Sequence, residues 1–116
     1  MTHFINDDIP WEPQTAKSRR KILRLEDNIY VALIQWDAGF TLPHLDVHQG
    51  EETVYVVDGV FRDQKGSCGP GSVVRGDPGS SHIPGTDKGC TFFVVRSLAP
   101  GEKERISADW VRPSKL

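Results

Sequence analysis

A chain of 116 residues with a formal net charge of −2 can bury one hydrophobic core and leaves little for a second module. That charge balance offers no basic field to draw nucleic acid or an anionic membrane, so neither is expected as a partner. No apolar run approaches the roughly 18 residues needed to cross a bilayer. The start, Met1 to Asp8, lacks the positive and apolar segments of a signal peptide, which makes the cytoplasm the expected location. Cys68 and Cys90 have no CxxC spacing, which argues against a disulfide framework or a cysteine-bound zinc.

In chain order, residues 1–20 read as an extended N-terminal arm, with Pro10 and Pro13 around Trp11, and residues 21–116 as the single domain. The basic cluster Lys17, Arg19 and Arg20 reads as a solvated face. Lys21 to Glu26 predicts a first strand, closed by turn chemistry at Asp27-Asn28. Ile29 to Trp36 predicts a second, apolar on both faces and therefore expected between two layers. Thr53 to Val57 is a third, and Asp58-Gly59 predicts a tight hairpin before Val60 to Asp63. Ser72 to Arg75 and Cys90 to Arg96 are further strands, with Cys90 a core residue, and a charged segment then leads to a tail carrying Trp110. Apolar residues nowhere recur at 3.6-residue spacing over two turns, so no long helix is expected. Short strands with Gly/Pro punctuation predict an all-β sandwich or barrel, a jelly roll before others.

The chemistry concentrates in His44-Leu-Asp46-Val-His48-Gln-Gly-Glu51-Glu52, with His82 further on. Alternate residues of a strand share a face with Cα atoms roughly 6.6 Å apart, so Asp46 and His48 can reach one ion. Glu52 follows across Gly50, which permits a bend, and His82 must arrive from another strand. His44 has the same parity but sits about 13 Å along an extended strand from His48, which suits a pocket wall or a place behind the ligands; a shifted backbone would instead make it a ligand. Two nitrogens and two carboxylates suit one divalent ion, iron(II), zinc, manganese or nickel. Glu51 and Tyr55 are neighbouring acid–base candidates that no spacing distinguishes from pocket or surface residues.

The stretch resembles the two cupin motifs, G(X)5HXH(X)3,4E(X)6G and G(X)5PXG(X)2H(X)3N. His48, Glu52 and Gly59 match the first in register, with Asp46 where that family usually has histidine, and Gly71 and Gly79-Ser-Ser-His82 match the second, with Asp77 in place of proline and Thr86 in place of asparagine. More narrowly, Trp11-Glu-Pro13, Gly59-Val-Phe-Arg-Asp63, Gly71-Ser-Val-Val-Arg75, Pro78-Gly-Ser-Ser-His82 and Gly89-Cys-Thr-Phe-Phe93 are similar to the ChrR-like cupins. That resemblance implies a small double-stranded β-helix barrel holding metal on His48, Glu52 and His82, with Asp46 as the position that departs. It also implies one of two activities: an iron(II) dioxygenase acting on a small diketone or aryl ketone, or a metal-containing sensing module like an anti-sigma factor domain. A metal-dependent lyase or isomerase is a third option. A small-molecule ligand is the expected partner, and a homodimer joined through the arm, with Trp11 and Trp110 as contacts, is the expected assembly.

Overall fold

Burial alternates with a period of two along the long strands, as a sheet covered on one face requires. On β3 (Ile29–Trp36), Tyr30, Ala32, Ile34 and Trp36 are buried while Val31, Leu33 and Gln35 are partly exposed. On β10 (Cys90–Ser97), Cys90, Phe92 and Val94 point inward, with Phe93 and Val95 outside. The expectation that β3 is enclosed on both faces is therefore corrected: one face is core and the other carries an apolar but accessible surface.

The computed structural model describes residues 1–110. The remaining elements are a 3₁₀ turn (Asn6–Asp8), β1 (Glu12–Thr15), β2 (Ser18–Glu26), β4 (Asp46–Val47), β5 (Glu52–Gly59), β6 (Phe61–Asp63), β7 (Gly66–Cys68), β8 (Val73–Gly76), β9 (Ser81–His82) and α1 (Glu102–Asp109). A six-stranded sheet runs β1-β2-β3-β10-β5-β8, and two ribbons, β4-β9 and β6-β7, complete the β structure. The named strand pairings are all antiparallel. Isolated bridges from Gly85 to Thr41 and to Arg62 tie the ribbons together. The ribbons lie over the inner face of the large sheet, where Phe61 of β6 stacks on Trp36 at 5.8 Å and meets Phe92 edge-on at 5.3 Å.

Three local expectations change. The second half of the arm is sheet: β1 pairs with β2, whose first residue is Ser18 rather than Lys21. Asp58-Gly59 makes no hairpin, because both edges of β5 are already taken by β10 and β8. Gly59, at φ 74°, instead turns the chain out of the sheet against the Gly89 carbonyl, a corner where a Cβ would collide with backbone. The charged segment after Pro100 forms the two-turn helix α1; Glu102 accepts the Ala99 N–H at 3.0 Å and Arg96 Nη1–H at 2.6 Å. Trp110, beyond it, is half-buried and packs against the core instead of standing free. Cys90 lies in the core at 5% exposure, and burial pushes its thiol up to about 11.

Candidate metal centre

The ribbon β4-β9 does the first part of the assembly. Asp46 and His82 are direct cross-strand partners. Pairing continues past β4: the His48 N–H donates to Ser80 O at 2.8 Å and Gly79 N–H donates to His48 O at 2.7 Å. Glu52 comes from the large sheet, where it opens β5 opposite Arg96 and Gly76. One ligand-capable atom from each of Asp46, His48, Glu52 and His82 falls within a set spanning at most 4.8 Å. Four donors each about 2.0–2.2 Å from one ion span no more than ~4.4 Å, so the set needs only small adjustments to close on a metal.

The hydrogen bonds around the two imidazoles settle which nitrogens face inward. The Ser80 hydroxyl donates to Asp77 O at 2.6 Å, so at 2.9 Å from His48 Nδ1 it acts as acceptor and Nδ1 carries the proton. His48 Nε2 is left with a bare lone pair, buried and without a hydrogen-bond partner among the described residues, 3.2 Å from Glu52 Oε1 and 3.4 Å from Asp46 Oδ2. His82 Nδ1 meets the Asp63 carboxylate at 3.1 Å and its Nε2 lies 3.4 Å from Asp46 Oδ2. An imidazole oriented by a carboxylate on its outer nitrogen is a recurrent arrangement behind metal ligands. Electron pairs from both rings and both carboxylates thus converge on one point, an arrangement that a divalent cation satisfies. Without an ion, the hydrogen bond to Asp46 raises His82 above its ordinary 6.5, against burial and with help from Asp63. The same hydrogen bond holds Asp46 low. Burial, followed by the charge of Asp46, raises Glu52.

His44, considered as an alternative ligand, is exposed on the loop before β4 and stands outside the cluster. Glu51 is exposed too, and Tyr55, 47% exposed, projects from the outer face of β5 because its parity is opposite to that of Val54 and Val56. Three contributors escaped the sequence reading. Asp63 and Ser80 orient the two rings, and Gly76 leaves space for one of them: a Cβ there would overlap the His48 imidazole. Ser80 and Asp63 had a sequence signal, their places in Gly79-Ser-Ser-His82 and Gly59-Val-Phe-Arg-Asp63.

The cluster borders a cavity of about 570 Å³ between the large sheet and the ribbons, a volume that suits a small ligand. Trp36, Phe40 and Phe92 form part of its apolar wall, and Arg20, Tyr30 and Arg96 part of its polar one. Thr86, at the asparagine position of the second motif, is fully buried and structural: its hydroxyl donates to Val60 O at 2.6 Å and accepts Gly89 N–H at 3.0 Å.

A family model described as the ChrR cupin-like domain matches residues 2–99. No curated protein matches the sequence. Among solved structures, an RmlC-like cupin from Shewanella frigidimarina aligns with a TM-score of 0.74 at 20% identity, covering 87% of this chain and 95% of that one. A candidate acetylacetone dioxygenase from Methylibium petroleiphilum aligns with a TM-score of 0.75 at 15% identity over 96% of both chains. The Rhodobacter sphaeroides complex of SigE with the anti-sigma ChrR aligns with a TM-score of 0.66 at 24% identity, covering 80% of this chain and 51% of that one, about half its length. At these identities the structural likeness establishes the all-β cupin fold.

Proposed function

The chain belongs to the ChrR cupin-like domain family, and from that premise we propose that it is a mononuclear metal cupin whose cavity takes a small oxygen-bearing molecule, with iron(II)-dependent cleavage of a diketone or aryl ketone as the leading activity. The observation that carries the metal reading is His48 Nε2: a buried nitrogen without a hydrogen-bond partner among the described residues, aimed at two carboxylate oxygens. Asp46, His48, Glu52 and His82 would hold the ion, iron(II) or zinc before manganese or nickel on the nitrogen–carboxylate donor set. A bound divalent ion would supply Lewis-acid polarisation and a fixed template. The chain's part is to hold both rings in the tautomer that offers Nε2, through Ser80 and Asp63, and to enclose the ligand against Trp36, Phe40 and Phe92. The candidate dioxygenase among the structural neighbours supports the enzyme reading. Metal analysis of chelator-free protein tests the site, with His48→Ala as control; full metal content in that variant would contradict it. Oxygen consumption by iron-loaded protein with a panel of diketones tests the activity, and a rate no higher than free iron gives would reject it.

The likeness to the SigE–ChrR complex supports a second reading, a metal-containing sensing module without turnover. Metal binding together with recovery of a specific protein partner, and no substrate consumed, is the outcome it requires. For assembly we propose a homodimer, packed on the outer sheet face. Val31, Phe93, Val95, Tyr55 and Val73 lie in register there across four strands. Solution mass of wild type and Val95→Glu tests this, dissociation of the variant being the expected result.

A further inference from the structure

The sequence reading put Arg20 in a solvated basic cluster, yet the structure turns it inward: Arg19 pairs outside with Asp37, while Arg20 lines the same cavity as the metal cluster. The charges on the wall of that cavity cancel. Arg20 donates to the Tyr30 hydroxyl and faces the buried carboxylate of Glu12, Nη2 to Oε1 at 3.7 Å. Arg96 donates to Glu102 at 2.6 Å and lies over the Tyr30 ring. Asp63 behind His82 adds a negative charge, and Arg105, exposed on α1, a positive one. What remains is the cluster itself, two imidazoles and two carboxylates. A divalent ion there is matched charge for charge by Asp46 and Glu52, so the loaded centre is neutral. Of the four donors Asp46 is the one that water reaches, its side chain 35% exposed against 13% or less for the others. Its Oδ2 lies 3.4 Å from Nε2 of both histidines, so a group entering the centre meets this carboxylate.

We propose that Asp46 is the specificity residue of the centre: its carboxylate completes a neutral metal site and selects ligands that coordinate through an uncharged oxygen, a carbonyl or a hydroxyl, over carboxylates and enolates. The inference rests on the metal reading above and narrows its small oxygen-bearing molecule to an uncharged one, an aryl ketone or a diketone bound in its keto form. Selection is by exclusion. An anion gains little from a centre whose ion Asp46 and Glu52 already neutralise, and it is repelled by a carboxylate in contact with the same imidazole nitrogens. A neutral carbonyl meets neither penalty and still finds the ion as a Lewis acid. Glu52, less exposed at the head of β5, shares the neutralisation, whereas Asp46 stands where the ligand enters.

The probe pair is benzamide and benzoate, which share their outline and a donor oxygen and differ in charge; the wall of Trp36, Phe40 and Phe92 suits the phenyl ring of either. Binding to protein loaded with cobalt(II), a spectroscopic stand-in for zinc, is read from the visible absorption of the metal. Wild type is expected to bind benzamide at least as tightly as benzoate. Asp46→Asn keeps the shape and an oxygen donor and removes the charge. In that variant benzoate is expected to gain about tenfold or more over benzamide, above the roughly fivefold that one unit charge at about 4 Å gives in bulk water and below its effect in a protein interior. Benzoate as the tighter ligand of wild type overturns the proposal, and so does an unchanged preference in Asp46→Asn; where that variant fails to hold cobalt, the wild-type comparison decides alone. Cobalt bound with either of those results leaves the metal reading standing. Wild-type protein that takes up no cobalt defeats the metal reading, and the role of Asp46 falls with it.

Discussion

The inner face of one sheet serves two opposite purposes along its length. At one end Trp36 gathers Phe40, Phe61 and Phe92 at ring-centroid distances of 4.7, 5.8 and 4.8 Å, and nothing there needs a charged partner. At the other, Glu52, Arg96 and Tyr30 follow one another across β5, β10 and β3, facing the ribbon that carries Asp46 and His82. The first end is held by burial of apolar area, which tolerates small rearrangements at a graded cost. The second is held by hydrogen bonds of fixed direction, where a displaced ring loses its role outright. Stability should therefore reside in the aromatic end and metal affinity in the polar end, with Phe61, whose ring centroid lies 6.2 Å from that of His82, joining the two.

Variants that attack one end alone can break that division. Phe92→Ala empties a buried site packed on Trp36 and Phe61 and is expected to cost about 3–5 kcal/mol, measured by denaturant unfolding; metal affinity of the protein that remains folded should barely move. Gly76→Ala is the converse. Its Cβ would displace the His48 ring, and a loss of about 100-fold or more in zinc affinity is expected, beyond what an orienting partner carries, with secondary structure kept in circular dichroism. Asp63→Ala removes the acceptor behind His82 and should weaken zinc by about 10–100-fold. Asp63→Asn, which can still accept through Oδ1, should recover part of it. A Gly76→Ala protein with wild-type affinity would show that His48 is not held where the structure places it.

The mildest test is pH. Without an ion, His82 and Glu52 both have raised pKa values in the fold. The stability each contributes is complete below its unfolded pKa and lost as pH rises through its folded one. Asp46, held low, contributes in the opposite sense, above its unfolded pKa, and loses this only as strong acid reaches its folded pKa. Chelated protein should therefore be slightly more stable near pH 6 than near pH 8. Metal reverses the trend, since it requires the Nε2 lone pairs free of protons. Affinity should fall on acidification from above the ordinary histidine range, with proton release visible by calorimetry in buffers of different ionisation enthalpy. Parallel pH trends in chelated and zinc-loaded protein would contradict the cluster as the site of binding.

Much of the fold was open to a reading of the chain because strand formation is local. The limits of β3 are those expected, Ile29–Trp36, and β10 extends the expected strand by one residue, to Ser97. The Asp58-Gly59 dipeptide misled, since whether a turn closes a hairpin depends on whether the preceding strand has a free edge. Arg20 misled for a related reason. Its alternation with Arg19 was visible, but which parity faced inward depended on the sheet that β2 joins.

What the sequence determined by itself is the supply of donors and the extended chain that presents them: Asp46 and His48 two apart, Glu52 beyond a glycine, His82 behind a Gly-Ser-Ser turn. What only the tertiary structure decided is their company. Asp63 behind His82, Ser80 behind His48, the missing side chain at Gly76, and Arg20 turned into the cavity all depend on partners brought together from distant parts of the chain. Alternation along a strand is a property of neighbouring residues, whereas pairing and facing are properties of the whole sheet. The tautomer of each histidine and the charge lining the cavity follow from the second and cannot be read from the first.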